Sequence, residues 1–198
     1  MPDPDSAPSA AAPAPFRVLM VCTANLYRSP VAACLLRRRL AALGAAIHVS
    51  SAGTDAVPGT PMAATAAALV RERGADPAGV NARRLTAGLV EGADLLLGAA
   101  TEHREAAVRL SPVRALCRAF SLREFARLAS AADAAGTTEP AARFAALVAG
   151  AAARRGTAGA SAHDDDVADP LGGSPEETRA CVARIEESVE RIAVAMQA

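Results

Sequence analysis

A chain of 198 residues with 21 Lys+Arg, 21 Asp+Glu and a formal net charge of zero is the size of one domain with an ample core, and its charge balance gives no footing to a nucleic acid or a membrane surface as partner. Hydrophobic residues make up 52%, yet much of that is alanine, and no apolar run approaches the roughly 20 residues that span a bilayer. Cys22, Cys34, Cys117 and Cys181 show neither metal-ligand nor secreted-framework spacing, which fits a reduced, cytoplasmic protein.

The first fifteen residues, rich in Ala and Pro, lack the charged start and leucine-rich stretch of a signal peptide and read as a disordered tail before a single domain over 16–198. An apolar run predicts a strand over 17–21, followed by C-T-A-N-L-Y-R-S at 22–29 and a helix over 29–43. A strand over 47–50 and a helix over 62–73 come next, and Asp76-Pro77 just past that helix reads as an ordinary turn. Further strands are expected over 94–98 and 113–119, with helices over 101–110 and 122–128. Residues 129–162 are Ala- and Gly-rich, hold a helix over 141–154 after the start signal Glu139-Pro140, and exceed a simple connection. They are set apart as a candidate insertion, either a lid or a loose surface excursion. In the final helix, over 175–196, Ser174 caps, Pro175 takes the first position and Glu177 completes a capping box. Its apolar positions Cys181, Val182, Ile185, Val189, Ile192 and Met196 form one stripe. Strands alternating with helices argue for an α/β fold with a parallel sheet covered on both faces.

Two segments carry chemistry. Five residues between Cys22 and Arg28 let the chain curl so that successive backbone N–H groups point inward, an anion nest closed by a helix N-terminus. The field that attracts a phosphate also stabilises a thiolate, which makes Cys22 a nucleophile at neutral pH. Arg28 offers a planar fork of donors that can hold two oxygens of a phosphoryl group, and Ser29-Pro30 suits a helix start. A thiolate attacking a phosphate ester leaves an alkoxide that needs a proton, and Asp169, in the polar Gly-rich stretch H-D-D-D-V-A-D-P-L-G-G, is placed to supply it from a loop. Asp164, Asp165 and Asp166 read as a solvated acidic run, and with His163 they lack the ligand geometry of a designed metal site. His48 reads as exposed or satisfied in its strand, and His103 as lying on a surface helix.

V-C-T-A-N-L-Y-R-S-P-V-A near the start and V-A-D-P-L-G-G-S-P-E-E near the end, with S-S-A-G-T at 50–54, V-P-G-T-P at 57–61 and A-D-L-L-L-G-A-A-T-E-H-R at 93–104 between them, resemble the low-molecular-weight protein tyrosine phosphatase family. The resemblance runs from about residue 16 to the end. It implies a flavodoxin-like three-layer fold, with a central four-stranded parallel sheet, helices on both faces, and the phosphate loop after the first strand. It implies that Cys22 becomes a phosphocysteine, that Arg28 binds the phosphoryl oxygens, and that Asp169 serves as acid and then base. Residues Thr23, Ala24, Asn25, Leu26, Tyr27, Arg28 and Ser29 would form the phosphate cradle, braced by Asn25, Ser29 and Ser51, with no cofactor and no metal. The implied partners are a phosphotyrosine protein or a small phosphate ester, with phosphate or sulfate as inhibitory anion.

The departures from the family pattern are specific. Ala24 stands where the family has Gly, and some backbone strain is expected there. Tyr27 replaces a second loop cysteine, which removes a protective disulfide. Val57 and Leu171 replace aromatic walls, leaving Tyr27 as the one ring near the mouth, so phosphomonoester hydrolysis is better founded than phosphotyrosine specificity. Three alternatives stay open: a phosphatase for a small non-aromatic ester, an arsenate reductase-like enzyme, and a catalytically weak oxyanion-binding regulator.

Overall fold

The computed structural model describes residues 14–155 and 165–197. Residues 1–13 of the expected tail, together with His163 and Asp164, lie outside that range. Four parallel strands, β1 (Phe16–Cys22), β2 (Ile47–Gly53), β3 (Leu95–Gly98) and β4 (Ala119–Ser121), form one sheet in the order β2-β1-β3-β4. The register aligns Cys22 with Gly53, Val21 with Gly98, and Gly98 with Ser121. All four strands therefore end at one edge, the carboxyl edge where open α/β sheets bind ligands.

β1 is nearly continuous in apolar residues because both its faces are covered. Phe16, Val18 and Met20 enter the larger core with α1 (Arg28–Arg39), α2 (Ala64–Glu72), α6 (Leu122–Leu128), α7 (Pro140–Arg154) and α8 (Pro175–Gln197). Leu19 and Val21 enter a smaller core with α3 (Ala87–Glu91), α4 (Thr101–Leu110) and α5 (Pro112–Ala115). The expected three layers follow. Among the described residues no helix is long and apolar enough to cross a membrane.

Two expected elements differ. The strand expected over 113–119 is α5 followed by a turn, with β4 beginning only at Ala119, so Cys117 is exposed in the turn instead of lying in a strand. Pro112 favours a first helical turn, and Val113 is 94% exposed; that apolar run marks no buried strand. The helix expected over 29–43 stops at Arg39 and continues as 3₁₀ turns that contain Gly44 at φ 58°. Elsewhere α7 seats Phe144, Leu147, Val148 and Ala151 in the larger core, with the Phe144 ring stacked 4.9 Å from Phe16, a contact worth about 0.5–1.5 kcal/mol beyond burial.

The capping box that starts α8 is present: Ser174 N–H donates to Glu177 Oε2 at 2.6 Å, and Glu177 N–H to Ser174 Oγ at 3.2 Å. The backbone bond from Ser174 holds the Glu177 carboxyl below its ordinary range. This start fixes where the loop carrying Asp169 rejoins the fold.

Candidate active site

The octapeptide 22–29 links the end of β1 to α1. The segment after β2 holds it from outside: Thr54 N–H bonds Cys22 O at 2.9 Å, Asp55 N–H bonds Thr23 O at 2.9 Å, and Ala63 N–H bonds Leu26 O at 3.0 Å. With those carbonyls drawn outward, no amide of residues 23–28 donates to a backbone carbonyl among the described residues, the arrangement an anion nest requires. Gly53 makes the close approach feasible. A Cβ there would lie 2.3 Å from Thr23 O and 2.8 Å from Asn25 N. Gly53→Ala should cost about 1–3 kcal/mol, read as a lower urea midpoint together with weakened phosphate binding; an unchanged midpoint would count against this packing.

Asn25 adopts φ 56°, alone among described non-glycine residues in having a positive φ, a conformation its short polar side chain tolerates. Its Nδ2 donates to Ser29 Oγ and to Ser51 Oγ, both at 2.9 Å, while its Oδ1 accepts Arg83 N–H at 2.9 Å. One side chain thus ties the loop to α1, β2 and the segment before α3. Ala24 lies outside the positive-φ region, so the strain expected there is absent: the left-handed residue is its neighbour Asn25. Arg83, which donates through Nε and Nη2 to Ser51 O at 3.1 and 2.8 Å, is a bracing residue that no sequence pattern marked.

Cys22 is 2% exposed at the base of the loop, its Sγ 2.9 Å from Ser29 Oγ. That hydroxyl accepts from Asn25 and lies 3.3 Å from Ala52 O, so its single proton serves either the sulfur or the carbonyl. A thiolate takes it; a thiol would donate its own proton to Ser29 and leave the serine's to Ala52. Ser29 makes no helix cap. α1 begins at Arg28 with Tyr27 in the cap position and no side-chain cap bond; Ser29 lies inside the first turn, its hydroxyl engaged at the thiol.

Arg28 is 5% exposed and joins the loop after β1 to the loop before α8. Its Nη1 donates to Val167 O at 3.1 Å, and its Nη2 to Thr23 Oγ1 at 3.2 Å and to Asp169 Oδ2 at 2.5 Å. The loop carrying Asp169 is docked by Val167 N–H on Ala99 O at 2.7 Å, just past β3, and Asp169 Oδ1 accepts Leu171 N–H at 3.2 Å. Asp169 is 44% exposed, at the boundary between cradle and solvent. Two members of the expected acidic run have structural partners. Asp165 pairs with Arg127 at 2.7 Å, and Asp166 accepts Thr101 N–H at 2.7 Å and Thr101 Oγ1 at 3.0 Å at the start of α4.

Two expectations about side chains are corrected. His103 does lie on a helix, α4, but it is 1% exposed, with Nε2 at 3.0 Å from Thr23 Oγ1; the missing Cβ of Gly98 lets α4 pack close enough to bury it, since one there would lie 3.0 Å from His103 Cβ. Tyr27, expected as a ring at the mouth, belongs to the larger core. Its hydroxyl, flanked by Thr65 and Thr178, makes no hydrogen bond of good geometry, and burial raises its pKa. Tyr27 and Leu171 instead line a cleft of about 440 Å³ between α2, the loop carrying Asp169 and α8, whose walls include none of Cys22, Arg28 or Asp169. Val57 and Leu171 are exposed on the two segments that flank the cradle.

A family model for low molecular weight phosphotyrosine protein phosphatases matches residues 17–144. The chain is 36% identical over 95 residues to the low molecular weight protein-tyrosine-phosphatase Etp of Escherichia coli K12, a match over 48% of this chain that spans only 62% of that protein's length. It is 27% identical over 183 residues to the protein-arginine-phosphatase of Geobacillus stearothermophilus, covering 92% of this chain and 97% of that one. The solved structure of the YwlE arginine phosphatase from that organism superposes with a TM-score of 0.66 at 27% identity, covering 92% of this chain and 94% of that one. That of a low molecular weight protein tyrosine phosphatase from T. tengcongensis superposes at 0.64 and 27%, covering 89% and 97%. With more than half of its length matched by the family model, and with that match including the loop from Cys22 to Arg28 at the carboxyl edge of the sheet, the chain belongs to the low molecular weight phosphotyrosine protein phosphatase family.

Proposed function

We propose that this protein hydrolyses phosphate monoesters through a phosphocysteine formed on Cys22. The observation that carries the reading is the bond from Arg28 Nη2 to Asp169 Oδ2, which holds a carboxylate 141 residues away over the loop that contains the thiol. The Cys22 thiolate attacks phosphorus, the phosphorus–oxygen ester bond breaks, and the carboxylic acid of Asp169 gives its proton to the departing oxygen. Water then attacks the phosphocysteine, Asp169 takes its proton, and the phosphorus–sulfur bond breaks to release phosphate and the thiolate. A dianion arriving in the cradle draws Arg28 donors onto its own oxygens and frees the Asp169 carboxyl from the guanidinium to face the departing oxygen. Phosphate or sulfate in the same cradle would inhibit by competition. The reducing cytoplasm keeps Cys22 available.

Asp169→Asn tests the acid. It should slow an alkyl phosphate by about 10²–10⁴-fold and p-nitrophenyl phosphate much less in the bond-breaking step, because nitrophenolate leaves without help. An unimpaired rate on the alkyl ester would remove Asp169 from this role.

Phosphoarginine is a second reading of the substrate. It is supported by the similarity to an arginine phosphatase over almost the full length of both chains and by the aliphatic Val57 and Leu171 beside the cradle. A phosphorus–nitrogen bond would then break, with the Asp169 proton going to the guanidine nitrogen. Parallel kcat/KM measurements on phosphoarginine and phosphotyrosine peptides decide it: a preference for phosphoarginine is the result this reading expects, and a strong preference for phosphotyrosine would set it aside. A thiol relay of the arsenate-reductase kind is disfavoured. Burial pushes the Cys181 thiol up to about 11, and Cys117 is exposed in the turn before β4.

A further inference from the structure

The reaction above uses Cys22, Arg28 and Asp169 and leaves a buried histidine without a task. We propose that His103 is a positioning residue that aims Arg28 through Thr23: its Nε2–H holds the Thr23 hydroxyl, and Thr23 Oγ1 in turn holds Arg28 Nη2 at the edge of the cradle. The proposal rests on the phosphocysteine reading and adds to it the group that keeps the phosphate-binding arginine in register.

The imidazole is fixed at both nitrogens. Ala100 N–H donates to Nδ1 at 3.0 Å, so the ring proton of the neutral form sits on Nε2. That N–H points to Thr23 Oγ1 at 3.0 Å, with the exposed carboxylate of Glu102 a more distant acceptor at 3.4 Å. Burial and the nearby Arg28 charge lower the His103 pKa, which keeps the ring in this neutral tautomer. A second proton would break the Ala100 bond and set a cation beside the guanidinium. The placement is built into the sheet edge, where Gly98 leaves room for α4: a Cβ at that position would lie 2.9 Å from Ala100 O as well as against His103.

Thr23 Oγ1 receives two N–H groups, one from His103 and one from Arg28, which occupies both its lone pairs. Arg28 has three acceptors, and they differ in what happens when a phosphoryl group enters. Asp169 must release the guanidinium to act as an acid. Val167 O on Nη1 and Thr23 Oγ1 on Nη2 remain, one on each terminal nitrogen, and two such points fix the plane of the fork. Without His103 the Thr23 hydroxyl can rotate, and one of those two points is lost.

A double-mutant cycle tests this. Inorganic phosphate affinity, which needs no turnover, and kcat/KM on p-nitrophenyl phosphate would be measured for the parent, Thr23→Val, His103→Leu and the pair. Each single change should weaken both quantities by about ten- to a hundredfold, as expected for losing a bond that orients a charged group, and the pair should be no worse than the poorer single. Thr23→Ser, which keeps the oxygen, should recover most of the loss. Thr23→Val keeps the size of the side chain, so it reports even if His103→Leu unfolds; in it the ¹⁵N resonance of His103 Nε2 should move while the Nδ1-acceptor tautomer persists. Parental phosphate affinity in Thr23→Val, or losses that multiply in the pair, would overturn the proposal. Phosphate binding without any parental turnover would instead count against the phosphocysteine reading, and the binding cycle would still decide the role of His103.

Discussion

Cys22→Ser should hydrolyse p-nitrophenyl phosphate at least about 10⁴-fold more slowly than the parent, in the range seen when a covalent nucleophile is removed from other hydrolases, while still binding inorganic phosphate. The sulfur sits on the Ser29 hydroxyl at 2.9 Å, at the base of a loop whose carbonyls are held away from it. Nothing in that arrangement ionises an alcohol, because the neighbouring serine can donate only one hydrogen bond and no general base lies within hydrogen-bond reach of Cys22 among the described contacts. The cradle itself does not use the thiol, so anion binding persists. Steady-state kinetics with a chelator present, beside phosphate titration of the same variant, separate loss of the nucleophile from loss of the fold. A parental rate in Cys22→Ser would end the covalent reading.

Arg28→Lys should be nearly as damaging, with kcat reduced by about 10²–10³-fold, the loss found when one donor is taken from a charge-stabilising site, and phosphate affinity reduced with it. The substitution keeps the charge and discards the fork. In the parent, Nη1 and Nη2 divide their bonds among Val167 O, Thr23 Oγ1 and Asp169 Oδ2; an ammonium group cannot reach acceptors on the cradle and on the Asp169 loop in one plane. A lysine variant within a few-fold of the parent in both kcat and phosphate affinity would show that charge alone suffices and that the planar geometry has no role.

What could be read from the sequence follows from how locally the chemistry is written. The cradle was legible because Cys22, Asn25, Arg28 and Ser29 fall within eight residues, between an apolar strand and a helix start. The loop with Asp169 was legible because the capping box at Ser174 and Glu177 marks where it must end. His103 was missed because its burial depends on Gly98 leaving room for α4 at the sheet edge, a contact between elements that helical periodicity does not report. Arg83 was missed for the same reason, its partners Asn25 and Ser51 being 58 and 32 residues away in sequence. Asp165 and Asp166 look like a solvated run and turn out to be an ion-pair partner and a helix-end acceptor. β4 has three residues, too few for alternation to show, and the exposed Val113 and Leu116 before it drew the expected strand to the wrong place. The place of Tyr27 in the loop points to the mouth, but its direction is set by the core between α2 and α8.

Rapid acid quenching followed by mass spectrometry would catch a phosphoryl group passing through Cys22. Asp169→Asn is the variant to use with p-nitrophenyl phosphate, because the good leaving group permits the first step while the missing base slows attack by water, so the intermediate should accumulate. A burst of nitrophenolate equal to the enzyme present is expected, with a phosphoryl group on the peptide that contains Cys22. Turnover with no burst, or with the phosphoryl group on any other residue, would contradict it.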